Sequence, residues 1–92
     1  MTEEKESKRE SFPAPTFSQY IYALGMQVMI FTGKHVNPQT NKYEKNIDIA
    51  KYHIDLLEML QEKTKGNLDE DENKLITELI NNSRMAYLSE MK

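Results

Sequence analysis

The sequence contains no cysteine and only three glycines and three prolines. Without cysteine the chain cannot form disulfides, thiolate metal sites or iron–sulfur clusters, and it has no cysteine nucleophile. So few glycines and prolines argue against a glycine-rich phosphate loop and against an all-β fold built from tight turns. The net charge of −3 argues against a general nucleic-acid binder, because such proteins are usually basic. These absences favour a small helical domain.

The chain is long enough for one domain, and its apolar share of 38% can form a core only if it is arranged in stripes. We expect a disordered tail over residues 1–15. Residues 1–10 are almost entirely charged or polar, and Pro13 and Pro15 disfavour a helix. We expect the remaining residues, 16–92, to form a single helical domain.

The first predicted helix covers residues 17–32. Thr16 and Gln19 have the spacing of a capping box, and Gly33 stands where helices usually end. The apolar run inside it has fifteen residues and would be about 22 Å long, whereas a membrane span needs about 30 Å. The segment before it is net acidic and no small-residue cleavage motif follows it, which argues against a signal peptide. We therefore expect a cytoplasmic protein.

Two further helices are predicted over residues 47–65 and 69–89. Asn46 is the expected N-cap of the second helix and Gly66 its expected C′ residue. Asp69 is the expected N-cap of the third helix, whose first turn is rich in acids that favour the positive end of the helix dipole. The connecting loop contains a predicted turn in which Asn41 can adopt a left-handed conformation. The expected fold is thus an all-α, three-helix domain.

A family resemblance is visible in the second half of the chain. The stretch from Ile54 to Leu68 reads IDLLEMLQEKTKGNL, and RMAYL follows at residues 84–88. These motifs resemble the small bacterial domain known as domain of unknown function 1844, and the likeness extends over roughly residues 17–88. Two positions depart from the family pattern, with Asn41 in place of Gly and Ser83 in place of Leu. The resemblance implies a short helical domain in a bacterial cytoplasm and carries over no catalytic residue, cofactor or partner.

One segment imitates a calcium-binding loop. Counted from Asn67, positions 1, 3, 5 and 12 carry oxygen ligands of the EF-hand type. Position 6 is Glu72, where the calcium loop needs Gly for its sharp turn. The same residues make a well-capped helix start, so we predict a helix N-terminus here and no metal site.

The remaining polar residues offer little catalytic chemistry. His35 and His53 are the only histidines, and neither has a second His at a metal-ligand spacing. No Ser or Thr stands in a strand–turn–helix elbow. We therefore predict no catalytic residue, no cofactor and no metal.

Asp55 stands inside the apolar sequence of the second predicted helix. Its simplest partner is Lys51, one turn earlier, and its alternative partner is Arg84 in the third helix. An Arg–carboxylate bridge would fix how the two helices dock. We predict a structural ion pair between Asp55 and Arg84.

The first helix carries two apolar stripes, although a surface helix needs only one. The first stripe consists of Phe17, Ile21, Leu24, Val28 and Phe31. The second, on a largely different side, consists of Tyr22, Met26, Met29 and Ile30. The other two helices can cover one stripe, so the second stripe is a candidate interface, with Gly25 and Ala23 allowing another helix to come near. We predict a homo-oligomer, with a dimer favoured; the alternatives are a different protein partner, or Phe12 and the tail folding over the stripe.

Two classes of function remain. The favoured one is a non-enzymatic cytoplasmic helical interaction module that self-associates or docks on a protein partner. The alternative is a subunit of an enzyme or small-ligand-binding protein whose site forms only in an oligomer. Nucleic-acid binding ranks third, because its sole support is the net charge of +2 over residues 34–46.

Overall fold

The computed structural model describes residues 12–91, which form three α-helices. These are α1 (Phe17–Phe31), α2 (Ile47–Lys63) and α3 (Glu70–Glu90). The predicted three-helix, all-α fold is confirmed, and every helix end lies within two residues of its predicted position. No strand occurs in residues 12–91, where the nearest approach to one is an isolated bridge between Asn37 and Lys42. The predicted disordered tail lies mostly outside the described residues, and residues 12–15 form neither helix nor strand.

Each helix begins at a side chain that caps it. Thr16 accepts a hydrogen bond from the amide of Gln19, and Asn46 accepts one from Ile49. At the start of α3, Asp69 and Glu72 form a complete capping box, in which each side chain accepts a bond from the other residue's amide. Such caps satisfy the amides that a helix leaves without partners at its N-terminus.

The helix ends agree with the sequence less closely. Gly33 has the expected left-handed conformation, with φ of 82°, directly after the C-cap residue Thr32. The prediction that Gly66 is the C′ residue of α2 was wrong, because α2 ends at Lys63 and its C-cap is Thr64. The Thr64 hydroxyl donates to the carbonyl oxygen of Leu60 at 2.7 Å and closes the helix early. Gly66, with φ of 86°, instead serves the turn that leads to α3.

The core consists of two apolar clusters along the same helices. The larger cluster joins residues from all three helices: Ile21, Leu24, Leu57, Ile76 and Ile80. The smaller cluster contains Val28, Ala50 and Ile54, with Phe31 and Tyr87 packed against it. From the first cluster to the second, residue numbers rise in α1 and α3 and fall in α2. Therefore α1 and α3 run in the same direction and α2 runs against them.

Gly25 of α1 faces α3 at close range. A Cβ atom placed on Gly25 would lie 2.9 Å from Cδ2 of Leu79, closer than real Cβ contacts allow. The sequence predicted that Gly25 admits a neighbouring helix from a second copy. The structure uses it for α3 of the same chain, because the absent side chain leaves room for Leu79.

The loop between α1 and α2 folds back on the end of α1. The amide of Asn46 donates to the carbonyl oxygen of Phe31 at 2.8 Å. Within the loop, the carbonyl oxygen of Asn37 accepts from the amide of Asn41 at 2.7 Å, and Asn41 has φ of 63°. The predicted turn and the left-handed Asn41 are thus confirmed. Among residues 12–91, no helix is both long and apolar enough to cross a membrane.

Candidate functional site

Two grooves run along α3, one on each side. The charged groove lies between α2 and α3, has a volume of about 250 Å³ and is lined by Lys51, Ile54, Asp55, Glu58, Arg84, Tyr87 and Leu88. The uncharged groove lies between α1 and α3, has a volume of about 220 Å³ and is lined by Tyr22, Gly25, Met26, Met29, His35, Leu79, Asn82 and Ser83. Both are candidates for binding, because each exposes apolar side chains in a concave surface.

The ion pairs of the charged groove differ from the predicted one. Nη2 of Arg84 lies 2.6 Å from Oε2 of Glu58, and Nε of Arg84 donates to the same oxygen at 2.9 Å. Asp55 lines the same groove but pairs with Lys51 at 3.0 Å. The predicted bridge between helices therefore exists with Glu58 in place of Asp55. Glu58 lies almost one turn further along α2, and the antiparallel course of α2 and α3 brings it to the level of Arg84.

The charges of this groove satisfy one another. Asp55 raises the pKa of Lys51 above 10.5, first through their hydrogen bond and then through its negative charge. Lys51, Asp55 and Arg84 are each at least half exposed, so water screens both pairs. The groove consequently offers neither a free carboxylate nor a buried cation with which to begin acid–base chemistry.

The uncharged groove contains most of the predicted interface. Tyr22 is 57% exposed, and Met26 and Met29 are half-buried beside it. The fourth residue, Ile30, is 4% exposed, so its placement in an accessible interface was wrong. Ile30 stands in the last turn of α1, where the following loop folds back, and this loop was not part of the sequence argument.

The α3 residues that line the uncharged groove were not predicted from the sequence. Neither Leu79 nor Asn82 was predicted to line a groove. Ser83 was recognised only as a departure from the family pattern; it is buried here and lines the groove. A serine leaves more space than the leucine of that pattern would. Helical spacing could have indicated this wall, since residues 79, 82 and 83 share one side of a helix.

A cluster of charges joins the loop after α1 to the end of α3. Glu90 pairs with Lys45 at 2.5 Å and with Lys34 at 2.9 Å, and Lys34 also donates to the hydroxyl of Ser89. The hydrogen bonds from Lys45 and then Lys34 lower the pKa of Glu90 from 4.5 to about 2. Two of the three lysines behind the nucleic-acid alternative are therefore engaged by a carboxylate, which weakens that alternative.

The false calcium loop and the histidines take structural roles. Asp69 and Glu72 are occupied in the capping box. Nδ1 of His53 donates to the carbonyl oxygen of Ile49 at 2.9 Å, and its ring stacks on Phe31 with centroids 6.4 Å apart. Within the described part of the chain, no three His, Asp or Glu side chains are grouped closely enough to hold a metal ion.

Comparison with known proteins gives one positive result. No curated protein and no solved structure matches the chain. The family model described as "Domain of unknown function (DUF1844)" matches residues 14–89, which is most of the sequence and includes all but the last residue of the three helices. The chain therefore belongs to the DUF1844 family.

Proposed function

We propose that this chain is a non-enzymatic helical interaction module that forms a homodimer through the uncharged groove. The observation that carries the proposal is the exposed apolar side of α1, where Tyr22 is 57% exposed beside Met26 and Met29. Covering such a surface removes apolar area from water and favours association. A twofold dimer is the commonest arrangement that does so.

The chemistry of the groove favours a second copy as the occupant. In a twofold dimer the same surface faces itself, so a charge near the axis meets a like charge. None of the residues that line this groove is Asp, Glu, Lys or Arg. Phe12 and the tail are a poorer occupant, because Phe12 is 80% exposed and residues 1–11 contain no apolar side chain after Met1.

A bacterial cytoplasm is part of the same proposal. It is supported by the family motifs described above, because the resemblance that they carry implies a bacterial cytoplasm. Detection of the native protein in the cytoplasmic fraction of bacterial cells, separated from membrane and periplasm, tests this location.

Sedimentation equilibrium of the full chain at micromolar concentrations tests the dimer. We expect a species of twice the 10.8 kDa chain mass. Tyr22→Glu should shift the equilibrium to the monomer, because it buries a carboxylate in the interface. Tyr20→Glu is the matched control, since Tyr20 is an equally exposed tyrosine of α1 that does not line the groove.

Two outcomes would contradict the proposed dimer. One is a parent chain that remains at 10.8 kDa at every concentration. The other is equal dissociation of the two glutamate variants, both shown to be folded by circular dichroism.

A second candidate function, binding of a small ligand, is favoured by the charged groove. Lys51 and Arg84, paired with Asp55 and Glu58, line a surface that also contains Ile54 and Leu88. An anion with an apolar arm fits this surface by taking the place of one of these carboxylates. Titration with phenylacetate, followed by amide NMR, should shift residues 84–88 saturably in the parent and not in Arg84→Met; unchanged spectra would contradict the candidate.

A further inference from the structure

One exposed apolar side chain lies in the uncharged groove and another lies beside it. Tyr22 of α1 lines the groove near one end. Met85 of α3 is 68% exposed and lies outside the lining, on the solvent-facing side of α3 between Asn82 of this groove and Leu88 of the charged groove. The chain itself leaves both groups uncovered.

The register of α1 against α3 fixes how far apart these groups are. Gly25 and Leu79 lie at the same level, because a Cβ on Gly25 would touch the Leu79 side chain. Tyr22 lies three residues before that level, and Met85 lies six residues after it. At 1.5 Å per residue, the nine residues separate Tyr22 and Met85 by about 13 Å along the helices.

We infer that the second copy docks antiparallel over the uncharged groove, so that Met85 of each protomer packs against Tyr22 of the partner subunit. The twofold axis then passes near Met26, which lies about halfway between the two levels. This inference rests on the proposed dimer and adds its register and the residues of α3 that take part.

Charge favours the antiparallel arrangement over the parallel one. The acids of the first turn of α3, Glu70, Asp71 and Glu72, stand at one end of the bundle. The loop after α1 stands at the other, beside the end of α3, where Lys34 and Lys45 pair with Glu90. With Lys42 included, the lysines of this loop exceed Glu44 and Glu90 by one charge, so this end stays basic. An antiparallel partner brings its acidic end towards this basic loop, whereas a parallel partner would set acid beside acid.

The chemistry of the two end groups also favours their pairing. A methionine sulfur makes favourable contacts with an aromatic ring, and its flexible side chain adapts to the surface that it meets. In the antiparallel dimer both ends of the groove make this contact, because a twofold axis repeats every contact once. In the parallel dimer each Met85 would face the Met85 of the partner subunit.

Disulfide cross-linking tests the register in the full chain, which has no cysteine of its own. The double variant Tyr22→Cys/Met85→Cys cannot close within one chain, since about 13 Å exceeds the reach of a disulfide, whose Cα atoms lie within about 7 Å. Under mild oxidation we expect most of the protein to become a covalent dimer of twice 10.8 kDa. The control Tyr20→Cys/Met85→Cys should stay largely uncrosslinked, because Tyr20 is exposed on another side of α1.

Sedimentation of the parent chain separates the two possible failures. A dimer whose two cysteine pairs cross-link equally would overturn the register and leave the proposed function intact. Rapid cross-linking of Met85→Cys alone, faster than the double variant, would establish the parallel arrangement and also overturn the register. A monomeric parent would overturn both. Circular dichroism of each variant before oxidation ensures that only folded proteins are compared.

Discussion

The two grooves beside α3 share one helix and nearly equal volumes but differ in what lines them. In the charged groove, acidic and basic side chains pair with each other above an apolar floor. In the uncharged groove, methionine, tyrosine and leucine meet only amide, hydroxyl and imidazole groups. Both linings are mainly apolar, so the grooves differ in charge more than in apolar surface. A partner that covers the first groove must remove water from its ion pairs, and a partner that covers the second does not.

The difference arises from the helical repeat of α3. Arg84 and Leu88 project on the α2 side, whereas Leu79 and Asn82 project on the α1 side. The core residues Ile76 and Ile80 lie between these sides. A single helix therefore builds three different environments, and changes at each should have effects of different size.

The largest effect is expected on the core side of α3, which lies between the two grooves. Ile76 is fully buried in the larger cluster, and Ile76→Ala should lower the free energy of unfolding by about 2–5 kcal/mol through lost burial and the cavity left behind. Urea denaturation measures this change. The exposed Met85→Ala should change it by less than about 0.5 kcal/mol at concentrations where the chain is monomeric, and similar values for the two variants would contradict the core assignment.

A smaller loss is expected from adding a side chain at Gly25, which lines the uncharged groove. Gly25→Val places new atoms against Leu79 and should cost about 1–3 kcal/mol by overpacking. Ala23→Val is the control, because Ala23 is exposed on the same helix and should lose only helix propensity, less than about 0.7 kcal/mol. Thermal unfolding distinguishes the two, and an equal loss would mean that α1 and α3 do not meet at Gly25.

The charged groove should respond more weakly. Arg84 and Glu58 have side chains that are 54% and 39% exposed, so their pair should contribute about 0.2–1 kcal/mol. A double-mutant cycle with Arg84→Met and Glu58→Gln measures this coupling. A second cycle with Asp55→Asn should give a value near zero; a larger coupling to Asp55 would restore the pairing predicted from the sequence.

The last effect depends on pH and lies away from both grooves. Because the pKa of Glu90 falls from 4.5 to about 2 in the folded state, its stabilising contribution is present above pH 4.5 and is lost as the pH falls towards 2. Glu90→Gln should therefore lower stability at neutral pH and leave it nearly unchanged near pH 2. Glu62→Gln, at an exposed position of α2, is the control. A pH-independent effect of Glu90→Gln would contradict the paired carboxylate.

Local signals in the sequence predicted the fold well. Caps at Thr16, Asn46 and Asp69 and the left-handed Gly33 are decided by neighbours within a few residues, which a sequence displays directly. The C-terminus of α2 was predicted less accurately. The sequence indicated Gly66 as the residue that ends the helix, but the C-cap is Thr64, whose hydroxyl donates to the carbonyl oxygen of Leu60.

The grooves were predicted only in part, because they depend on how helices meet. To choose Glu58 over Asp55 as the partner of Arg84, one must know how far α2 is shifted along its axis relative to α3. The sequence of one helix alone does not give this shift. The burial of Ile30 depends on the path of a loop, and that of Gly25 on Leu79, 54 positions later. The sequence did indicate the α1 side of the uncharged groove. The helical repeat alone places Tyr22, Met26 and Met29 on a different side of α1 from the core stripe.

The pairing of Glu90 with Lys34 and Lys45 also orders events during synthesis. Glu90 lies 56 residues after Lys34, so the contact cannot form until nearly all of the described chain has left the ribosome. By then α1 and α2, which follow each other in the chain, have both been synthesised and can already pack as an antiparallel pair. Lys34 and Lys45 of the loop between them can form their ion pairs only after the end of α3, with Glu90, has been synthesised. These ion pairs are therefore among the last contacts of the fold to form.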